Sequence, residues 1–113
     1  MNPASQDSDG GLSVRYCDTF LSRLKGFQGR REIAMDEVLW LKPCSAVHTI
    51  RMRVPLSLLF LDSQRQLVHV VPTARPCRVF VCWQARSVIE MRARHEQDII
   101  EAWHHISISH LNT

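Results

Sequence analysis

The sequence predicts a mostly β domain, in which an antiparallel sheet folds into a sandwich or a barrel and carries one or two short helices. Six or seven short segments are apolar or alternate between apolar and polar residues, as strands do. No segment follows the strand–helix–strand rhythm of a parallel α/β protein. The chain has 113 residues, of which 45% are hydrophobic, which suffices for one domain with one core.

The N-terminal part predicts a polar leader followed by a strand. Residues 1–11, MNPASQDSDGG, are small and polar, and we expect them to be disordered. A single domain is expected over residues 12–113. Its first strand begins where Leu12, Val14 and Tyr16 alternate with polar or small residues.

A short helix is predicted next. Asp18 or Thr19 can cap its N-terminus, because their side-chain oxygens accept hydrogen bonds from the first free backbone N–H groups. Polar side chains follow on one face of this helix, and the apolar side chains at helical spacing are expected to pack on the core. These apolar residues are Phe20, Leu21, Leu24 and Phe27.

The middle of the chain predicts two strands and a hairpin. Val38 to Leu41 form a short apolar strand, whereas residues 44–55 are mixed in polarity and have no clean period. Leu56 to Leu61 are almost wholly apolar, as in a strand that is buried on both faces. Residues 62–65 predict a turn, and residues 66–71 predict the returning strand.

The C-terminal part continues the β pattern. Prolines at positions 72 and 76 bracket a predicted loop. Alternation predicts strands over residues 79–83 and 85–91. Residues 94–103 predict one or two helical turns, because apolar side chains recur there at helical spacing. Residues 105–109 alternate and predict a final strand.

Charge and hydropathy exclude several classes of protein. Fourteen basic residues, twelve of them Arg, against eleven acidic ones give a formal charge of +3. The arginines are scattered, and Trp40, Trp83 and Trp103 lie in apolar runs and are expected in the core. Nucleic-acid binding is therefore not favoured, since it usually combines clustered cations with exposed aromatic rings. No apolar run approaches the roughly 20 residues of a membrane-spanning helix, so we expect no membrane partner.

The four cysteines, Cys17, Cys44, Cys77 and Cys82, form no C-x-x-C pair. The N-terminus has no pattern of a secretory signal. We therefore expect free thiols in a reducing, cytoplasmic compartment, mostly as small core side chains.

The segment around Cys44 and His48 is the main candidate for chemistry, and Thr49 and Met52 lie close to it. Cys44 can be a thiol nucleophile activated by His48. The pair can instead be two metal ligands, with Met52 as a third. The segment can also be a ligand-binding loop, or a structural connection in which His48 and Thr49 bond to the backbone. The residues alone leave these alternatives open.

Glu90 lies within the apolar strand SVIEM. A carboxylate in such a strand must face solvent or find a cation, so we expect a structural ion pair with an arginine. A general-base role would need a second carboxylate, and Asp62 is the best candidate. The chain has no glycine-rich phosphate loop and none of the common enzyme signatures, so no cofactor is predicted.

Four motifs in order, LSRLKGFQGR, PCSAVHTIRMRVPLSLLFLD, QLVHVV and ARSVIEM, resemble the DUF192 (UPF0127) family, a small bacterial and archaeal domain of uncharacterised function. The family's E-R-x-x-G-L-M-x-R segment is matched by Arg23, Gly26 and Arg30. Its H-T-x-x-M-x-x-P-L-D-x-x-F-x-D motif is matched by His48, Thr49, Met52, Pro55, Leu56, Phe60 and Asp62. Its V-L-E-L strand is matched by Val88, Ile89, Glu90 and Met91.

The resemblance covers about residues 12–110 and implies a β-rich, jelly-roll-like sandwich or barrel with a short helix. It supplies no reaction. The sequence departs from the family where Ser57 replaces the usual Asp and where Arg92 and Ala93 replace a Gly.

Taken together, these observations predict a non-enzymatic binding or accessory module for a small molecule or a protein partner. Its expected ligand contacts are Cys44, His48, Thr49 and Met52. We expect Arg23 and Glu90 to form a structural ion pair. The alternative is a small metal- or thiol-dependent enzyme centred on Cys44 and His48, and a weaker alternative is arginine-mediated binding of nucleic acid.

Overall fold

A computed structural model of the chain describes residues 11–110, so that all but the last residue of the predicted leader lies outside the described residues. These residues form seven strands and two helices. The strands are β1 (Ser13–Cys17), β2 (Glu37–Leu41), β3 (Ala46–His48), β4 (Leu56–Leu61), β5 (Leu67–Ala74), β6 (Val79–Val81) and β7 (Ser87–Arg92). The helices are α1 (Phe20–Lys25) and α2 (Glu96–His110).

The strands form two sheets. The larger sheet has the order β1-β2-β7-β4-β5, in which β1 runs parallel to β2 and the other neighbours are antiparallel. The smaller sheet pairs β3 with β6 in antiparallel register. Neither sheet closes into a barrel. The predicted β-rich α+β fold class is thus confirmed.

The central strands β4 and β7 separate two apolar clusters because their side chains alternate between the faces of the sheet. On one face, Leu58, Phe60 and Val88 belong to the cluster that also contains residues of the small sheet. On the other face, Leu59 and Ile89 pack with helix α2. All six residues of β4 are buried, as its sequence predicts.

Helix α2 corrects the prediction for the C-terminal part. The chain forms one helix of fifteen residues, where sequence alternation predicts short helical turns and a final strand. Ile99, Ala102 and Ile106 are buried and recur at helical spacing, so they form the stripe that covers the sheet. Acidic Glu96 and Asp98 lie in the first turn, where they interact favourably with the helix dipole.

Helix α1 has the predicted cap but not the predicted packing. Thr19 and Ser22 form a capping box. However, none of the residues of α1 is buried, and Phe20 is 70% exposed. Of its predicted apolar face only Phe27, just beyond the helix, reaches the core.

Two further sequence expectations are also wrong. Trp83 is 84% exposed and does not belong to the core, whereas Trp40 is buried and Trp103 packs against the core. Pro72 lies within strand β5 and does not begin a loop.

All four cysteines are free thiols, as expected. Within residues 11–110, neither helix has both the length and the apolar character needed to cross a membrane.

Because residues 105–109 are helical, substitution of two isoleucines there should change the free energy of unfolding by different amounts. Ile106 and Ile108 would share a face on a strand, but on α2 Ile106 is buried and Ile108 is exposed. We expect Ile106→Ala to lower the free energy of unfolding by about 2–4 kcal/mol. The matched variant Ile108→Ala should change it by less than about 0.5 kcal/mol. Urea denaturation measures both, and equal effects would contradict the helix.

Candidate functional site

A pocket of about 210 Å³ lies between α1, the segment that contains β3, and strand β7. Some of its lining residues are buried and others are exposed. The buried lining residues are Phe27, Val47, Met52 and Glu90. At the mouth, the exposed side chains of Phe20, Leu24 and Lys25 come from α1. The pocket therefore combines an apolar interior with one buried carboxyl group.

Glu90 is the unusual member of this lining. Only 3% of the residue is exposed, and within the described residues its Oε1 atom has no hydrogen-bond partner. Loss of hydration on burial raises the pKa of Glu90 to about 7, although the backbone N–H of Phe27 donates to the carboxyl and opposes this change. The carboxyl therefore gains or loses its proton close to neutral pH.

The strand register explains why Glu90 is held there. Glu90 pairs with Leu39 of β2 and Leu58 of β4, so it lies in the middle of the larger sheet. It shares a face with Val88, two residues earlier, and this face packs in the apolar cluster that includes residues of the small sheet.

Burial raises the pKa values of the Cys17 and Cys44 thiols, and the nearby negative charge of Glu90 adds to both effects.

Gly26 lies next to Glu90 in the lining of the pocket. Its φ of +48° is a conformation that side-chain-bearing residues rarely adopt. A Cβ atom at this position would lie 2.7 Å from Glu90 Oε1, closer than van der Waals contact allows. A side chain at residue 26 would therefore require the Glu90 carboxyl or the end of α1 to shift.

The predicted pairing of Arg23 with Glu90 is not among the ion pairs of residues 11–110. The ion pair within 4 Å there is Arg30–Glu37 at 2.9 Å, and His105 Nε2 lies 4.0 Å from Glu101 Oε1. Arg23 also lines the pocket, but its Nη1 donates to the backbone carbonyls of Asp18 and Lys42, at 2.8 and 3.4 Å. Arg23 thereby ties α1 to the chain after β2.

Asp62, the candidate second carboxylate, does not line the pocket. Its carboxylate accepts the backbone N–H groups of Gln64 and Gln66, both at 2.9 Å. Asp62 therefore serves the hairpin turn between β4 and β5.

Cys44 and His48 do meet at the pocket, together with Met52. The Cys44 thiol donates to the carbonyl of Ala46 at 3.1 Å. Burial is the main cause that raises the pKa of this thiol, and the charge of Glu90 adds to it, whereas the backbone hydrogen bond at Ala46 and, to a smaller extent, the charge of Arg23 oppose it. A nucleophilic thiolate needs the opposite shift, so Cys44 is held as a thiol.

His48 has one free ring nitrogen. Its Nε2 lies 3.3 Å from the amide nitrogen of Gln28, and its buried Nδ1 has no hydrogen-bond partner within the described residues. Among residues 11–110, no three or more His, Cys, Asp or Glu side chains are grouped to hold a metal ion. Cys44 and His48 alone are fewer ligands than a metal site usually has.

Thr49 and Ser57 are used for internal hydrogen bonds. Thr49 is buried and does not line the pocket; its hydroxyl donates to the carbonyl of Arg75 at 2.6 Å and accepts the N–H of Arg78 at 3.0 Å. The Ser57 hydroxyl donates to the carbonyl of Pro72 at 2.7 Å and accepts the N–H of Arg94 at 3.2 Å. Both hydroxyls therefore fasten neighbouring segments.

The model of the DUF192 family, described as Uncharacterized ACR, matches residues 3–100. The chain belongs to the DUF192 family. No curated protein matches the sequence of this DUF192 domain.

Two solved structures share the fold of this DUF192 domain. One is a protein of unknown function from Novosphingobium aromaticivorans DSM 12444, with a TM-score of 0.66 and 17% identity. The other, from Sinorhizobium meliloti 1021, is described as a candidate transcription regulator, with a TM-score of 0.66 and 20% identity. Each comparison covers 73% of this chain, and 64% and 69% of the respective neighbours. This chain thus spans about two thirds of their length, and at these identities the likeness shows the fold alone.

The raised pKa of Glu90 makes the stability of this DUF192 domain depend on pH. The folded carboxyl keeps its proton up to about pH 7, whereas an unfolded one loses it near pH 4.5. The folded state therefore binds more protons between these values, and the free energy of unfolding falls as pH rises through this window.

Two glycines with positive φ provide a test of the contact between Gly26 and Glu90. Gly29 has a φ of +79° but open space where a Cβ would lie. We expect Gly29→Ala to lower the free energy of unfolding by about 1–2 kcal/mol through backbone strain alone. Gly26→Ala should lower it by a further 1–3 kcal/mol, roughly, because its ψ of −128° lies outside the left-handed helical region and because the methyl group also overlaps Glu90.

Denaturation of both variants in the Glu90→Ala background completes the comparison. Removal of the carboxyl should make the Gly26→Ala substitution less destabilising, because the overlap with Glu90 is gone, and should leave the effect of Gly29→Ala unchanged. Equal losses in both backgrounds would show that Glu90 does not contact Gly26.

Proposed function

We propose that this domain is a non-enzymatic binding module that holds a small molecule in the Glu90 pocket, with an N–H group of the ligand donating to the Glu90 carboxyl. The observation that carries this proposal is the buried Oε1 atom, which has no partner within the described residues although its residue lines a pocket. An unpaired buried polar atom costs free energy. A ligand that pairs with it removes this cost and thereby gains affinity.

The chemistry of the lining narrows the ligand class. An ionised carboxylate only accepts hydrogen bonds, so it favours an amine or an amide over another acid. Phe27, Val47 and Met52 offer apolar contacts for the rest of the ligand. The volume of about 210 Å³ is below the roughly 300–1,000 Å³ of pockets that hold drug-sized compounds, so the ligand is expected to be small.

The predicted contact residues divide between two roles in this proposal. Cys44, His48 and Met52 line the pocket and are proposed as ligand contacts, with His48 Nδ1 as a second unpaired polar atom. Thr49 is left out, because its hydroxyl is bonded to the segment before β6. Arg23 is proposed to hold α1 in place through its bonds to backbone carbonyls.

An acid–base enzyme is the second candidate function, and one observation favours it. A carboxyl with a pKa of about 7 is well matched to proton transfer near neutral pH. The thiol- or metal-dependent enzyme has less support, because burial raises the pKa of Cys44 and the described residues lack a metal-ligand cluster. Binding and catalysis differ in whether the bound compound is changed.

Three compounds with four carbon atoms each test the proposed binding: butylamine, butyramide and butyrate. We expect the amine and the amide, but not butyrate, to shift the backbone NMR signals of Gly26 and Phe27. The affinity for butylamine should rise about tenfold from pH 6 to pH 8, because the ammonium pairs with the ionised form of a carboxyl whose pKa is about 7. A two-dimensional NMR titration at both pH values measures these effects.

Glu90→Gln is the test variant and Glu37→Gln the matched control, since Glu37 lies outside the pocket. Glu90→Gln should weaken butylamine binding by about tenfold and abolish its pH dependence. Unchanged binding in Glu90→Gln, or stronger binding of butyrate than of the other compounds, would refute the proposal. Signals of a converted compound in the same samples would favour the enzyme.

A further inference from the structure

Exposed apolar side chains lie both at the mouth of the pocket and on the small sheet. Ala46 pairs with Val81 and His48 pairs with Val79, so each pair shares one face of this sheet. Ala46 and His48 also line the pocket, together with Phe20 of α1. The surface that carries them therefore includes α1, β3 and β6.

The exposure of this surface is unusual for a small domain. Val79 is 67% exposed, close to the 70% of Phe20. Three segments, residues 19–30, 42–55 and 75–86, hold seven of the eleven large hydrophobic side chains that are exposed in the described residues. These seven are Phe20, Leu21, Leu24, Ile50, Val79, Val81 and Trp83. Exposed apolar side chains concentrated in this way mark interaction sites.

The same three segments are basic without exception. Each contains three Arg or Lys residues, and none contains an Asp or a Glu. Of the nine cations in these segments, Arg30 forms an ion pair with Glu37, which lies outside the segments. The other eight cations also have no acidic residue within their own segment. All nine acidic residues of the described chain lie elsewhere in the sequence. We name these three segments the basic face.

We propose that the basic face docks an acidic segment of a partner protein that also carries aliphatic side chains. Charge complementarity identifies the acidic character of this partner. The enrichment in Arg and aromatic residues, with only two Lys and no Asp or Glu, is the composition of protein interfaces. Because most of the exposed side chains are aliphatic, they do not provide the stacking surfaces that single-stranded nucleic acids use.

This proposal extends beyond the Glu90 pocket. Val79 and Val81 belong to the docking surface but do not line the pocket. A second copy of the chain does not fit as the partner through this face, since two basic faces would repel each other. Substitutions on β6 and in the pocket therefore separate the two proposals.

A random-peptide phage library, selected on the immobilised protein, provides the test. We expect the enriched peptides to combine Asp or Glu with aliphatic residues. The consensus peptide, synthesised with a fluorescent label, should bind the variant Val79→Thr/Val81→Thr about tenfold more weakly than the wild type, as measured by anisotropy. Thr keeps the β-branched shape at both positions, so strand β6 should be retained.

Ile100→Thr/Ile108→Thr is the matched control, because both isoleucines are exposed on α2, outside the basic face. Peptide binding should be unchanged in this control and in Glu90→Gln. Equal binding by both valine and isoleucine variants, or a consensus without acidic residues, would overturn the proposal. Tighter binding of an oligothymidine or of phosphatidylserine vesicles, lost in the valine variant, would overturn it in favour of those partners.

Discussion

A buried carboxyl group that has no counter-charge within residues 11–110 is the constraint on which the site depends. Glu90 lies in the middle of the larger sheet because both neighbouring strands pair with β7 at this point. Burial raises its pKa to about 7, and the backbone N–H of Phe27 offsets only part of this cost. Gly26 allows the chain to approach the carboxyl, and the Cys44 thiol is kept protonated partly by the charge of Glu90. The pocket thus holds two buried polar atoms that have no hydrogen-bond partner within the described residues, Glu90 Oε1 and His48 Nδ1.

Helix α1 belongs to this site more than to the core. It is capped by Thr19 and tied by Arg23 to the chain after β2, but it buries none of its own residues. Its apolar side chains instead form the mouth of the pocket and one end of the basic face. A helix whose only function was stability would bury these side chains. Their exposure is explained if the small ligand, the protein partner, or both cover them.

Much of the fold could be predicted from the sequence, because the pattern of apolar and polar residues indicates which side chains are buried. The apolar run of β4 and the turn at Asp62 are local signals, and both agree with the structure. The pattern is ambiguous where two periods coexist: Ile106 and Ile108 alternate like a strand, while Ile99, Ala102 and Ile106 follow a helix. The segment is a helix because Ile99, Ala102 and Ile106 then pack together on the larger sheet, a tertiary contact that the local sequence does not show.

The site was predictable only in part. Cys44, His48 and Met52 are close in sequence, and the structure brings them to one pocket. The environment of Glu90 was not predictable, since a lone Glu in a strand does not show whether an arginine reaches it. An amphipathic helix such as α1 has the same pattern whether its apolar face covers a core or an opening. Gly26 carried a usable signal, because a glycine just after a capped helix is typical of a special backbone conformation.

A titration of the Glu90 side-chain carboxyl by ¹³C NMR, with Glu90→Gln for assignment, tests the central claim most directly. A buried carboxyl without a counter-charge should titrate with a midpoint of about pH 7. A midpoint near or below pH 4.5 would mean that water or a cation reaches the carboxyl, and it would contradict this account of the pocket.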